Sequence, residues 1–185
     1  EYVTAGEASV SVAMDFLRLV RAISTPMILI PILAGATLAS IAGPIKWWAL
    51  GVSAVGGVCA LFAANLSNDI WDFQGGADHA TMGSDTSVMT SSGALLFGKI
   101  TLKHAWRLTI GLLTTALVCG VFLSIDRPWT LGFALAGLVI ALLYQAPPFK
   151  LSYRGRGLGE LCIFMNFGPL PVAGTYYVLT GTTTI

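Results

Sequence analysis

The sequence predicts an all-α fold: a polytopic transmembrane helical bundle with about five membrane-spanning helices. Three observations predict it. The chain is 55% hydrophobic, only 10% charged, and has a mean hydropathy of +0.78. A soluble domain carries about 25% charged residues, so this surface could not solvate itself in water. Five apolar stretches each approach the roughly 20 residues that a helix needs to cross the hydrocarbon core. The few basic residues collect at alternate ends of those stretches. A net charge of +1 gives no reason to expect a nucleic-acid partner.

The first stretch runs from about Ala22 to Ala42, opened by Arg18 and Arg21 and closed by Gly43-Pro44. The second runs from Trp47 to Asn65, with Trp47 and Trp48 as interfacial anchors. The third spans Ala105 to Ile125. The fourth begins at Pro128-Trp129, a good first-turn proline, and ends near Tyr144. The fifth runs from Leu161 to Leu179. Residues 1–185 read as one transmembrane domain, with a tail over 1–17 and polar segments over 66–104 and 145–160. No basic region followed by an apolar core precedes Val12, so no cleavable signal peptide is expected.

Glycines inside the runs (Gly35, Gly51, Gly56, Gly57, Gly111, Gly120, Gly132 and Gly137) would be costly in a soluble helix. In a membrane bundle they let backbones approach closely, so they are expected at packing positions. Pro26, Pro31, Pro169 and Pro171 are expected to kink the first and fifth helices. Cys59, Cys119 and Cys162 lie in or beside apolar runs without metal-ligand spacing and read as small buried hydrophobes.

With five spans, the N-terminus, the second-to-third loop and the fourth-to-fifth loop share one side. That side holds Arg18, Arg21, Lys99, Lys103, Arg107, Lys150, Arg154 and Arg156, against Lys46 and Arg127 on the other. The bias places the polar loops in the cytoplasm or its topological equivalent, in a bacterial inner membrane or a photosynthetic or organellar membrane.

The second run ends in Asn65-Leu-Ser-Asn68-Asp69-Ile-Trp-Asp72, followed by Gly75-Gly76 and Asp78. At about 100° per helical residue, Asn65, Asn68, Asp69 and Asp72 share one stripe. Carboxylates and amides at a membrane helix end are expensive unless compensated, and a divalent cation is the obvious compensation. Mg²⁺ prefers oxygen ligands and usually takes one or two carboxylates plus substrate phosphates, and Asp78 could supply another carboxylate. On the same side, Lys150, Arg154 and Arg156 lie among glycines and are candidates for gripping phosphate oxygens. The bland alternatives are a solvated helix terminus for the acidic stripe and ordinary positive-inside anchoring for the bases. Together, an acidic stripe and a basic cluster at one membrane face suit a diphosphate ester with an apolar tail. Trp71 and Phe73 could line a channel for such a tail or serve as interfacial anchors; His79, His104 and Asp85 receive no role.

The stretch from Asn65 to Asp72, with Gly76-Ala-Asp78, resembles the first aspartate-rich motif of the UbiA superfamily of intramembrane aromatic prenyltransferases. Tyr144-Gln-Ala-Pro-Pro-Phe-Lys-Leu-Ser-Tyr153, Gly157-Leu-Gly-Glu160 and Phe167-Gly-Pro-Leu170 look like the branch that prenylates 1,4-dihydroxy-2-naphthoate, and Gly174-Thr-Tyr-Tyr177 fits it. The resemblance covers about Arg18 to Gly181. It implies Mg²⁺-assisted ionisation of a prenyl diphosphate and attack by an electron-rich aromatic acceptor, in menaquinone or phylloquinone biosynthesis. Asp69 and Asp72 would be catalytic, Asn68, Asp69, Asp72 and Asp78 would form the metal set, and Asn65, Asn68, Lys150 and Arg154 would bind substrate.

Family members have about nine transmembrane helices and a second aspartate-rich motif. This chain shows five runs and no second motif, so the resemblance implies the N-terminal portion of the fold, apparently truncated after the fifth helix. His79 to Ser92 is poor in basic residues for this family, and Arg156-Gly157 looks like a short insertion. The alternative reading is a non-catalytic UbiA-like subunit of a larger photosynthetic or respiratory membrane complex, packing against partner subunits and holding lipid, quinone or pigment. A small transporter is a third reading, with only the helix-breaking prolines in its favour.

Overall fold

Helices form along the apolar runs, and their ends are set by glycine, proline and polar caps. The computed structural model describes residues 15–76 and 92–183; Asp78, His79 and Asp85 lie outside them. We label the main helices α1 (Thr25–Ala42), α2 (Trp47–Gln74), α3 (Leu102–Ser124), α4 (Thr130–Gln145), α5 (Leu158–Phe167) and α6 (Pro169–Thr180). Short 3₁₀ turns occupy Ala22–Ser24 and Leu151–Tyr153, and no strand occurs among the described residues. With its leading turn, α1 has 21 residues; α2 has 28 and α3 has 23, and all three are apolar enough to cross a membrane. Ile30, Leu33, Ile110, Val118 and Val139 are exposed on the helix surfaces, as expected where hydrocarbon rather than water is the solvent.

The caps follow elementary rules. Thr101 caps α3 by accepting the His104 backbone N–H on its hydroxyl. Pro26 sits in the first turn of α1, where proline continues a helix without a kink; Pro31 is the proline inside α1, and it is buried. The fifth apolar run, expected as one kinked helix, is two helices broken at Gly168. A Cβ there would lie 2.5 Å from the Phe164 carbonyl oxygen, so the break requires glycine. Pro169 and Pro171 then fall in the first turn of α6, where a missing N–H forfeits no intrahelical bond. Asn166, next to the break, donates to the Gly137 carbonyl of α4 at 3.2 Å.

The most extensive packing joins α2 to α3 and α1 to α6. The glycine expectation holds for part of the set. A Cβ on Gly35 would meet the Val172 carbonyl oxygen of α6 at 2.4 Å, one on Gly56 would meet Cys119 of α3 at 3.0 Å, and one on Gly57 would meet Ile32 of α1 at 2.8 Å. Gly51 and Gly111 face open space and hold no helix contact. One core cluster joins Leu19, Leu66, Ile70, Leu95 and Ala105, and it seats the chain before α1 against the far end of α2. At the opposite end of the bundle, Arg127 lies over Gly181 and donates to the Val178 carbonyl at 3.3 Å.

Candidate functional site

The length of α2 places the acidic stripe. Its 28 residues extend about 42 Å, against a hydrocarbon core about 30 Å thick. With Trp47 and Trp48 at one interface, roughly the last two turns project past the other. The helix continues to Gln74, so the acidic residues expected within the 66–104 segment begin that segment as ordered helix. Asp69 and Asp72 are nonetheless only 3% and 4% exposed. Protein covers them, and a buried carboxylate needs partners.

Those partners come from three other segments. Asp69 forms an ion pair with Arg21, which precedes α1, and its Oδ2 accepts the Ser92 backbone N–H at 2.9 Å. Asp72 Oδ1 accepts the Tyr153 hydroxyl at 3.0 Å and lies 3.6 Å from Lys150 Nζ. Its Oδ2 accepts the Asn68 amide at 3.0 Å. Arg21 and Lys150 are 26% and 25% exposed, so each presents a charged head at the rim of a buried acid. Lys150 Nζ also stands 5.4 Å over the Tyr153 ring. It approaches the C-terminal end of α2 so closely that a Cβ on Gly75 would lie 3.1 Å from it. The partial negative charge of that helix end adds to the attraction.

Both cations are delivered by unusual backbone. Arg21 (φ 52°, ψ 53°) and Lys150 (φ 39°, ψ 55°) occupy the left-handed region, as does Arg156 (φ 59°). Such positions cost about 1–3 kcal/mol for a residue with a side chain, so the surrounding contacts must hold them.

Asn65 donates to the Val20 carbonyl and the Ser24 hydroxyl, both at 3.0 Å, and so ties the Arg21 segment to α2. Arg154 does not reach the acidic stripe: its Nε and Nη2 donate to the Phe149 and Pro148 carbonyls at 2.7 and 3.0 Å, clasping its own loop. Beneath the site, the buried Gln145 at the end of α4 donates to Ser67 Oγ at 2.8 Å. Arg21, Tyr153, Ser67 and Gln145 were not singled out for the site in the sequence. Arg21 read as an interfacial charge, and Tyr153 as one residue of a motif. A polar residue closing an otherwise apolar helix, as Gln145 does, was the available signal for the Ser67–Gln145 pair.

Among the described residues, no group of three or more His, Cys, Asp or Glu side chains stands together in a way that could hold a metal ion. Asp69, Asp72 and the amide oxygen of Asn68 are hard oxygen donors on one helix face. That set fits Mg²⁺ in kind, because the ion commonly takes one or two protein carboxylates and completes its shell from substrate phosphates and water.

Below the stripe, an apolar cavity of about 350 Å³ opens between the helices, lined among others by Ile28, Ile32, Leu113, Phe133 and Leu170. Its lining on α2 ends at Leu61, eight residues or about 12 Å along the helix before Asp69.

Comparison with known proteins adds to this geometry. The chain is 33% identical over 115 residues to the chloroplastic 2-carboxy-1,4-naphthoquinone phytyltransferase of Arabidopsis thaliana, a match covering 62% of this chain and 28% of that protein. It is 33% identical over 124 residues to the enzyme of the same name from Synechocystis sp., covering 61% and 34%. With 1,4-dihydroxy-2-naphthoate octaprenyltransferase of Mycobacterium leprae it shares 28% identity over 153 residues, covering 82% and 49%. The chain thus spans at most about half the length of these relatives. No solved structure matches it significantly. The UbiA prenyltransferase family matches residues 28–185, from within α1 through α6 and including the acidic stripe and the basic loop. On that match, this integral membrane chain belongs to the UbiA prenyltransferase family.

Proposed function

We propose that this chain forms part of a Mg²⁺-dependent aromatic prenyltransferase. The enzyme would move a prenyl group from its diphosphate to an acceptor of the 1,4-dihydroxy-2-naphthoate type, as in menaquinone or phylloquinone biosynthesis. The observation that carries this reading is the placement of Asn68, Asp69 and Asp72 at the projecting end of α2, beneath Arg21, Lys150 and Tyr153. The relatives' names support the acceptor class. The basic bias of the loops supports a cytoplasmic face for the site.

In this reading Asp69 and Asp72 hold the metal, and Asn68 orients Asp72 through its amide. Mg²⁺, when bound, would supply the positive charge that makes diphosphate a good leaving group. Lys150 and Arg21 stand where they would stabilise the charge that develops on the diphosphate oxygens as the allylic C–O bond breaks. The apolar cavity below has the chemistry to house a prenyl tail and to keep water from a carbocation.

The test is Asp69→Asn and Asp72→Asn in the full-length protein, with prenyl transfer to a naphthoate acceptor measured against added Mg²⁺. Both variants should insert into membranes and lose turnover. Turnover unchanged in both would overturn the metal assignment. Wild-type full-length protein that shows no turnover at all would instead favour the reading of a non-catalytic subunit, for which the cations already paired with the two acids speak.

A further inference from the structure

We propose that Arg21 and Lys150 act as exchangeable counter-cations: each holds an aspartate in the ligand-free site and passes to the diphosphate as the metal enters. The divalent ion would then load only together with its diphosphate. This inference rests on the functional reading above and concerns how that site is regulated.

Three observations carry it. First, each aspartate is matched by a cation from a different segment, Arg21 from ahead of α1 and Lys150 from the loop after α4. A bare divalent ion entering between Asp69 and Asp72 meets two positive charges within ion-pair distance of its ligands. Their repulsion, acting at two carboxylates that are almost fully buried, opposes loading. A metal arriving with diphosphate brings new anionic partners for both cations, so no buried charge is left unpaired at any stage.

Second, of the described non-glycine residues at positive φ (Arg21, Lys150 and Arg156), two are these cations. Both cations thus reach their aspartates from a backbone conformation that such residues avoid, and a change of partner would allow that backbone to relax. Purely structural ion pairs would gain nothing from strain at both cations.

Third, donors remain to receive the new partner. Arg21 Nε is buried and has no hydrogen-bond acceptor among the described residues. The Lys150 ammonium carries three protons that can redistribute among oxygens. Arg and Lys are the side chains best suited to leave a carboxylate for a phosphate oxygen.

The test uses the full-length protein in nanodiscs, with Mn²⁺ as a countable stand-in for Mg²⁺ and inorganic pyrophosphate as the anion. Protein-bound Mn²⁺ is separated from free and pyrophosphate-bound ion by ultrafiltration. Wild-type protein should retain little Mn²⁺ alone and much more with pyrophosphate. Lys150→Met and Arg21→Met should each tighten binding of Mn²⁺ alone by about tenfold, by removing a competing charge, while weakening the pyrophosphate-dependent component. Unchanged or weaker binding of Mn²⁺ alone in folded variants overturns the exchange, and so does wild-type protein that binds Mn²⁺ equally well with and without pyrophosphate. Wild-type protein that retains no Mn²⁺ under either condition overturns the functional reading as well.

If neither variant folds, acetylation of Lys150 in the wild type, read by mass spectrometry, replaces them. Mn²⁺ alone should leave its rate unchanged, and Mn²⁺ with pyrophosphate should change it. A change produced by Mn²⁺ alone overturns the proposal.

Discussion

Tyr153 donates its phenolic proton to Asp72 Oδ1 at 3.0 Å, the same oxygen that Lys150 approaches to 3.6 Å. The two donors sit at the ends of one tight loop, Lys150 leading the 3₁₀ turn and Tyr153 closing it, so a single backbone conformation aims both at one oxygen. That oxygen lies 81 positions back in the chain, on α2.

Tyr153→Phe removes one of these donors and leaves the ammonium in place. A partly exposed hydrogen bond contributes about 0.5–1.5 kcal/mol, which corresponds to a loss of about 2- to 12-fold in kcat/KM. The variant should fold normally, because its ring remains to pack and Lys150 still neutralises Asp72. Initial rates at varied prenyl diphosphate check this. A loss as complete as that expected for Asp72→Asn would mean that Tyr153 does more than orient the carboxylate.

The acidic stripe was legible in the sequence because a helix has a fixed period: Asn65, Asn68, Asp69 and Asp72 must share a face once Trp47–Gln74 is helical. The partners of those residues were not legible. Arg21 meets Asp69 across 48 positions and Lys150 meets Asp72 across 78, and no local rule encodes such pairings. Arg154 shows the same limit: its charge and place in the basic loop make it a phosphate-ligand candidate, but nothing local announces that its guanidinium holds the Pro148 and Phe149 carbonyls. The break at Gly168 was half visible. Pro169 and Pro171 announce a disturbance, but its form depends on a backbone that only glycine allows.

Gln145 and Ser67 form a buried polar pair at 2.8 Å that joins the end of α4 to α2 directly beneath the acids. Ser67→Ala strands the Gln145 amide, whereas Gln145→Leu leaves Ser67 its bond to the Ala64 carbonyl at 3.1 Å. Ser67→Ala should therefore cost about 1–3 kcal/mol, the desolvation penalty of an unsatisfied buried group, and Gln145→Leu about 0.5–1.5 kcal/mol, the worth of one hydrogen bond. The double variant removes both polar groups and should recover part of that loss, giving a coupling energy of at least about 0.5 kcal/mol in a double-mutant cycle. Melting of the full-length protein in detergent measures it. Strict additivity of the two losses would mean that the pair contributes nothing as a pair.

Gly35 and Gly111 look alike in the sequence, as glycines inside apolar helices, and their surroundings separate them. A Cβ on Gly35 would stand 2.4 Å from the Val172 carbonyl oxygen and 3.0 Å from Thr175 Cβ, so it would have to push the α6 backbone away from α1. Nothing lies within 4 Å of a Cβ on Gly111. Gly35→Val should therefore destabilise the bundle by about 1–3 kcal/mol or more, the usual cost of overpacking, and lower the melting temperature by several degrees. Gly111→Ala meets no such obstacle and gains up to about 1 kcal/mol of helix propensity, so its melting temperature should hold or rise. The comparison is made on full-length protein in one detergent, by the temperature at which the monodisperse elution peak is lost. Equal losses in the two variants would mean that glycine serves α1 and α3 through backbone flexibility, and that the close approach of α1 to α6 is not what requires Gly35.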